Sequence, residues 1–103
     1  VTVRDVPEHH RYEIRDGEQW MGLSAYKVAG DTIDFTHTEI DQAFGGRGLG
    51  KVLVTAELED ARRRGLQVLP SCPYVRKVIA EDPDAFLDLV PADQRARFDL
   101  PAH

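Results

Sequence analysis

The chain predicts an α+β fold built on a mixed sheet. Three observations carry this: strand-like alternation over the first forty residues, a cluster of glycines after them, and a helical period starting directly behind the cluster. Residues 1–6 read as a short strand closed by Pro7, and residues 11–15 alternate charged with apolar through Tyr12 and Ile14. Asp16-Gly17 is a hairpin signal, because both residues tolerate the positive φ of tight turns. Residues 19–28 are apolar on both faces, with Trp20, Tyr26 and Val28 on one and Met21, Leu23 and Ala25 on the other, which predicts a central strand covered on both sides. After a Gly30-Asp31 turn, residues 32–40 form a fourth strand. Its alternation sets Ile33, Phe35, His37 and Glu39 on one face and Thr32, Asp34, Thr36, Thr38 and Ile40 on the other.

Residues 41–48 are a loop, and residues 49–64 a helix with Leu49, Val52, Leu53 and Ala56 at helical spacing. Arg62-Arg63-Arg64 in its last turn complement the helix dipole as a solvated end, and Gly65 supplies a left-handed cap. Residues 66–69 make a fifth strand stopped by Pro70. Pro73 opens a helix that runs to about Glu81, and shorter helical pieces follow over 84–90 and 93–98, set off by Pro83 and Pro91. The order is an antiparallel meander, then a strand–glycine loop–helix–strand unit that requires a parallel, right-handed crossover.

At 103 residues with 42% hydrophobic and 30% charged side chains, the chain supports one core and is too apolar for general disorder. No apolar run approaches the ~18 residues of a membrane span, and the N-terminus shows no charged-then-apolar signal pattern. One cysteine allows neither an internal disulfide nor a cysteine-based zinc cage, so a cytoplasmic location is expected. The net charge of −5 and the absence of a basic tail argue against nucleic acid as the main partner. His9 and His10 are neighbours on an extended connection and point apart, His103 is terminal, and no metal site is expected.

The stretch Gly45-Gly46-Arg47-Gly48-Leu49-Gly50-Lys51 lies where a strand hands over to a helix. A helix N-terminus offers unpaired N–H groups and partial positive charge, and glycines let a phosphate approach it; otherwise such glycines only make a tight turn. The triphosphate P-loop fails here, because Val52 stands where a magnesium-binding Ser or Thr is needed. The dinucleotide fingerprint fails too, since counting from Gly46 or Gly48 its last glycine falls on Lys51 or Leu53.

Three blocks, His37-Thr38-Glu39-Ile40, then Gly46-Arg47-Gly48-Leu49-Gly50, then Pro70-Ser71-Cys72-Pro73-Tyr74-Val75, together resemble a minimal, stand-alone branch of the GNAT superfamily of acetyl-CoA-dependent N-acetyltransferases. The likeness spans roughly residues 2–82. The superfamily loop reads Gln or Arg, two variable residues, Gly, one variable residue, then Gly or Ala. Gly48 and Gly50 fill its last two fixed positions, whereas Gly45 departs from the first. The resemblance implies a domain over 1–90 with a tail at 91–103, and acetyl-CoA or CoA as cofactor. It also implies a pyrophosphate site at Gly45, Gly46, Arg47, Gly48, Leu49, Gly50 and Lys51, and an acyl chain between the fourth and fifth strands with a backbone N–H near Ile40 facing the thioester. Arg76 and Lys77 are further candidates for the nucleotide phosphates.

Acetyl transfer to an amine needs a neutral nucleophile, stabilisation of an oxyanion and a proton for the leaving thiolate. His37 is a base for the amine, since an imidazole titrates near neutrality, or else a satisfied histidine beside Ile33 and Phe35 or an exposed edge residue. Glu39 is a weaker candidate, because glutamates at strand ends are most often solvated. Cys72 has its backbone fixed by Pro70 and Pro73, and a helix begins next to it, which favours the thiolate. It is either an acetyl carrier or an inert buried cysteine. Tyr74 sits earlier than the tyrosine with which the superfamily often protonates the leaving thiolate, and is otherwise a packing aromatic.

Superfamily members usually place two helices between the first and second strands as a wall of the acceptor site. Here that connection is about residues 7–10, too short for a helix. The acceptor side is therefore expected to be open and the acceptor large or extended, such as a protein amine, with the chain a monomer or a weak dimer. Two other readings stay open: a non-catalytic CoA- or acyl-CoA-binding module, and a thioesterase using Cys72, His37 and Glu39.

Overall fold

The structure, a computed structural model, describes residues 1–102; His103 lies outside the described residues. Five strands, β1 (Thr2–Val6), β2 (Arg11–Asp16), β3 (Gln19–Ala29), β4 (Thr32–Ile40) and β5 (Gln67–Leu69), form one sheet in sequence order. The first four pair antiparallel, and β4 and β5 pair parallel. Helix α1 (Leu49–Arg63) makes the crossover, and α2 (Pro73–Glu81) and α3 (Pro83–Phe86) follow β5. The β1–β2 connection is one 3-10 turn, Pro7–His9, closed by His10 at φ 53°. Both histidines are exposed.

Two bulges decide which side chains face the helices. In β3 the pairing steps from Gly22 opposite Ile14 to Trp20 opposite Arg15, leaving Met21 as the extra residue. In β4 it steps from Phe35 opposite Tyr26 to His37 opposite Ala25, leaving Thr36 extra. A bulge shifts the side-chain parity beyond it, and the face assignments read from simple alternation are corrected on both strands. Met21 joins Tyr26 in the core, whereas Val28 is 47% exposed. Ile33 and Phe35 are fully buried toward the helices, but beyond Thr36 it is Thr38 that turns to that side, and His37 and Glu39 are exposed on the other.

One core fills the helical side. Tyr12, Tyr26 and Phe35 pack with ring centroids 5.5–6.4 Å apart, beneath Leu53, Val54 and Leu58 of α1 and beside Val75, Val78 and Ile79 of α2. The buried stripe of α1 is Leu49, Leu53, Val54, Glu57, Leu58 and Ala61, so Val52, expected on the apolar face, stands 46% exposed. The segment after Pro91 is not a loose tail: Phe98 and Leu100 are buried in the same core, and Arg95 donates to the Val90 carbonyl.

The expected covering of β3 on both faces does not hold. On the face away from the helices lie Arg11, Leu23, Ala25, His37 and Glu39, none of them buried. Glu13 alone is buried there, between Arg11 at 2.7 Å and Arg15 at 3.0 Å. Burial works against its charge, but these two guanidinium groups hold its carboxyl below the ordinary glutamate range.

The arginine run closing α1 is engaged rather than simply solvated. Arg62 forms a pair with Asp88 at 2.7 Å, Arg63 pairs with Asp60, and Arg64 reaches both Asp60 and Asp5. Asp60 and Asp5 in turn accept from the hydroxyls of Tyr12 and Tyr26. Burial first, then these carboxylates, push both phenols above their ordinary range. The cluster ties the far end of α1 to β1, β2 and β3.

Gly22 is required by close approach. A Cβ there would stand 2.5 Å from the Glu39 carbonyl oxygen and 2.6 Å from Ile40 Cδ1. Backbone cannot yield as a side chain can, so Gly22→Ala is expected to cost about 1–3 kcal/mol. Urea unfolding measures this as a lower midpoint with an unchanged m-value.

Candidate active site

The candidate site is built where β4 outruns β5. Their parallel ladder covers only Thr32–Asp34 against Gln67–Leu69. Beyond Asp34 one further bond holds the strands, Cys72 N–H to the Phe35 carbonyl at 2.8 Å, and from Thr36 to Ile40 the β4 register runs with β3 alone. The bulge at Thr36 sits at the point of parting. Pro70 and Pro73 explain why β5 stops: neither can donate to a ladder, and Pro73 starts α2 at a position where no donor is needed.

The glycine loop lies at the exit of β4. Asp41 caps a 3-10 turn, Gln42–Phe44, by accepting from the Ala43 N–H at 2.9 Å. Gly46 at φ 80° and Gly48 at φ 71° then turn the chain through left-handed conformations into α1. The first bond of the helix runs from Val52 N–H to the Gly48 carbonyl at 3.2 Å, so the N–H groups of Leu49, Gly50 and Lys51 precede the ladder. Gly48, the N-cap, offers no side chain to them, and the first turn holds no acidic residue. Such an end carries partial positive charge, the condition that favours an anion. Leu49 is buried and anchors the loop, the Arg47 guanidinium lies 5.4 Å over the Phe44 ring, and Lys51 is exposed on the first turn.

Tyr74 lies against this loop. A Cβ on Gly50 would come within 2.9 Å of the Tyr74 hydroxyl, so the ring rests on the first turn of α1. Cys72 is 4% exposed and turns into the helical side, where its thiol donates to the Thr38 hydroxyl at 3.4 Å. His37 and Glu39 do pair, Nε2 to Oε2 at 3.3 Å, but on the uncovered face with side chains 63% and 56% exposed. The structure therefore brings Cys72 to Thr38 and Tyr74 to the loop, but does not bring His37 to Cys72. A groove of about 410 Å³ lies beside the notch rather than in it, between α1 and the α2–α3 corner, with Lys51, Arg62 and Glu81 in its lining.

Sequence reasoning missed Glu57. It is fully buried on α1, accepts from the Ser24 hydroxyl at 2.9 Å through Oε2, and its Oε1 has no hydrogen-bond partner. Burial pushes its carboxyl well above the usual range; the nearby Cys72 adds to that and Ser24 opposes it. The signal was present: Glu57 falls four residues from both Leu53 and Ala61, in the stripe that carries the core. An acid that binds its proton more tightly folded than unfolded stabilises fully below the unfolded value and loses that stability as pH rises through the folded one. Wild type is accordingly expected to lose more thermal stability than Glu57→Gln between pH 5 and pH 8, measured as the fall in Tm of each.

A sheet opened between its parallel pair, with a bare helix N-terminus at the opening, is that of the GNAT-like α+β folds. The chain belongs to the GCN5-related N-acetyl-transferase family, whose model matches residues 11–89. It is 36% identical to Protein NATD1 of Xenopus tropicalis over 85 residues, 81% of this chain and 78% of that one. Protein NATD1 of Mus musculus is also 36% identical, over 81% of this chain and 77% of its own. Among solved structures, a GCN5-like protein from Staphylococcus aureus superposes with a TM-score of 0.64 at 26% identity, covering 87% of both chains. Rv2747 from Mycobacterium tuberculosis, solved in complex with CoA and NLQ, superposes with a TM-score of 0.53 at 22% identity over 72% of this chain and 47% of that one, a likeness of fold. Among the described residues no helix is long and apolar enough to cross a membrane, and no cluster of three or more His, Cys, Asp or Glu side chains is arranged to hold a metal ion.

Proposed function

We propose that this chain transfers an acetyl group from acetyl-CoA to an exposed amine on a large acceptor, with Cys72 as the acetyl carrier. The observation that carries the reading is the pairing of an uncapped helix N-terminus at Gly48 with a single buried thiol at the parting of β4 and β5. The CoA pyrophosphate would lie on the N–H groups of Leu49, Gly50 and Lys51, with Arg47 and Lys51 supplying positive charge on a chain of net charge −5. Family membership and the CoA-bound fold neighbour support this placement. Gly45, where the superfamily has a Gln or Arg anchor, leaves the loop to be held by Leu49 and the Arg47–Phe44 stack.

The thioester would enter the notch with its carbonyl toward the β4 edge near Ile40, where an N–H stabilises the oxyanion. Cys72 sulfur attacks from the helical side, a bond from sulfur to the acetyl carbon forms, and CoA thiolate leaves. The amine then attacks the acetyl carbon from the uncovered face, where His37, oriented by Glu39, takes its proton; the bond from that carbon to the Cys72 sulfur breaks and the Cys72 thiolate leaves. With only a 3-10 turn between β1 and β2, no wall encloses that approach, which suits an extended acceptor. Hydrolysis through a Cys72–His37 dyad is disfavoured, because the two side chains turn to opposite sides of β4.

The test follows CoA release from acetyl-CoA with no amine, with a small polyamine and with a lysine-bearing protein. Release that depends on the protein amine is expected. Release independent of amine would identify a thioesterase, and binding without release would identify a CoA-binding module.

A further inference from the structure

Four side chains form one line from the thiol to the buried acid. The Cys72 thiol donates to Thr38 Oγ1 at 3.4 Å, Thr38 Oγ1 lies 3.5 Å from Ser24 Oγ, and the Ser24 hydroxyl donates to Glu57 Oε2 at 2.9 Å. With Glu57 ionised, the direction is set at both ends: Ser24 donates to Glu57 and the thiol to Thr38, so Thr38 must be the donor to Ser24, and each hydroxyl gives one hydrogen bond and takes one. The line crosses three elements, β4, β3 and α1, whose register the Thr36 bulge sets; without that bulge Thr38 would face away from Ser24's partner. The neighbours of Glu57 in the buried stripe, Leu53, Leu58 and Ala61, are all apolar. Ser24 and Cys72 are the groups acting on Glu57 besides burial, and among the described residues no basic side chain is paired with it from any element.

We propose that Glu57 is the proton-exchange partner of Cys72, taking the thiol proton through the hydroxyls of Thr38 and Ser24 and returning it by the same path. When Cys72 sulfur bonds the acetyl carbon, its S–H bond breaks. The proton passes to Thr38, Thr38's to Ser24 and Ser24's to Glu57 Oε2, while the departing CoA thiolate takes a proton from water. When an amine displaces the acetyl group, the Cys72 thiolate leaves and the shift reverses, restoring the thiol and the carboxylate; the amine's proton goes to His37 or to water. The use of the relay in transfer rests on the reading of Cys72 as acetyl carrier. The proton exchange itself does not.

The test uses a probe other than acetyl-CoA. Alkylation of Cys72 by iodoacetamide is followed by intact mass from pH 6 to pH 10 in wild type, Thr38→Val, Ser24→Ala and Glu57→Gln, with circular dichroism and Tm confirming each fold. Wild type is expected to react about tenfold faster than every variant at pH 7, with all rates converging at pH 10, where hydroxide removes the proton directly. That convergence separates lost proton exchange from altered access, which would slow alkylation at every pH. Superimposable profiles, or a constant ratio across the range, would overturn the relay. A wild-type advantage at neutral pH without any acetyl transfer would leave the relay standing and sink the carrier reading; acetyl transfer with superimposable profiles would do the reverse.

Discussion

Cys72→Ala is expected to lower amine-dependent CoA release by roughly 10²–10⁴-fold, the span that losing one positioned group from a chemical step typically costs. The thiol lies at the parting of β4 and β5, is 4% exposed and bonds Thr38, so its removal takes away the proposed carrier while leaving the glycine loop untouched. Affinity for CoA should stay within about twofold of wild type, which puts the loss on kcat rather than on KM. Cys72→Ser keeps a hydroxyl within reach of Thr38 and controls for packing. It should fold as wild type does and still fail to accumulate an acetyl adduct, because serine there has no base strong enough to activate it. Calorimetry for binding and a thiol-release assay for turnover check both statements.

Gly48→Val should do the opposite, weakening CoA while sparing the thiol. Gly48 holds φ 71° at the N-cap of α1, and a left-handed conformation costs an ordinary residue about 1–2 kcal/mol, with a β-branched side chain at the upper end. No neighbour lies within 4 Å of a Cβ there, so the substitution acts through backbone strain rather than collision. If the loop escapes that strain by turning its N–H groups away from the helix axis, the dissociation constant for CoA rises by roughly 5–30-fold. Iodoacetamide reactivity of Cys72 should be unchanged, because the thiol's partners lie on β3, β4 and α1 beyond the first turn.

The unequal success of sequence reading on this chain has local causes. The turn into α1 could be read because left-handed conformations just before a helical period call for glycine, and Gly46 and Gly48 supply them. The end of β5 beside Cys72 could be read as well, since the flanking prolines and a helix start mark it by chain chemistry alone. The faces of β3 and β4 could not. Alternation carries no mark of where an extra residue enters a ladder, and the bulges at Met21 and Thr36 each invert parity beyond them. His37 was thereby aligned with Phe35 and the core, while Thr38, which reaches the thiol, was assigned to the other side. Glu57 was hidden for a related reason: a glutamate among apolar helix positions reads as a boundary of the stripe until Ser24 is seen beside it.

The short β1–β2 connection seen in the sequence is short in the structure too. Where a 3-10 turn of three residues joins the strands, the face bearing His37, Glu39 and the Arg11–Glu13–Arg15 cluster has no helix supplied to it from that connection. The helical side, by contrast, holds the whole core, including Phe98 and Leu100 from the segment beyond the family match.

The most direct measurement incubates the protein with isotopically labelled acetyl-CoA and a lysine-bearing protein, then reads the label on both chains by intact mass while following free CoA. The account predicts a transient labelled adduct on Cys72, absent in Cys72→Ala, and label on the acceptor in proportion to CoA released. CoA released with no label on the acceptor, or no release at all, would contradict it.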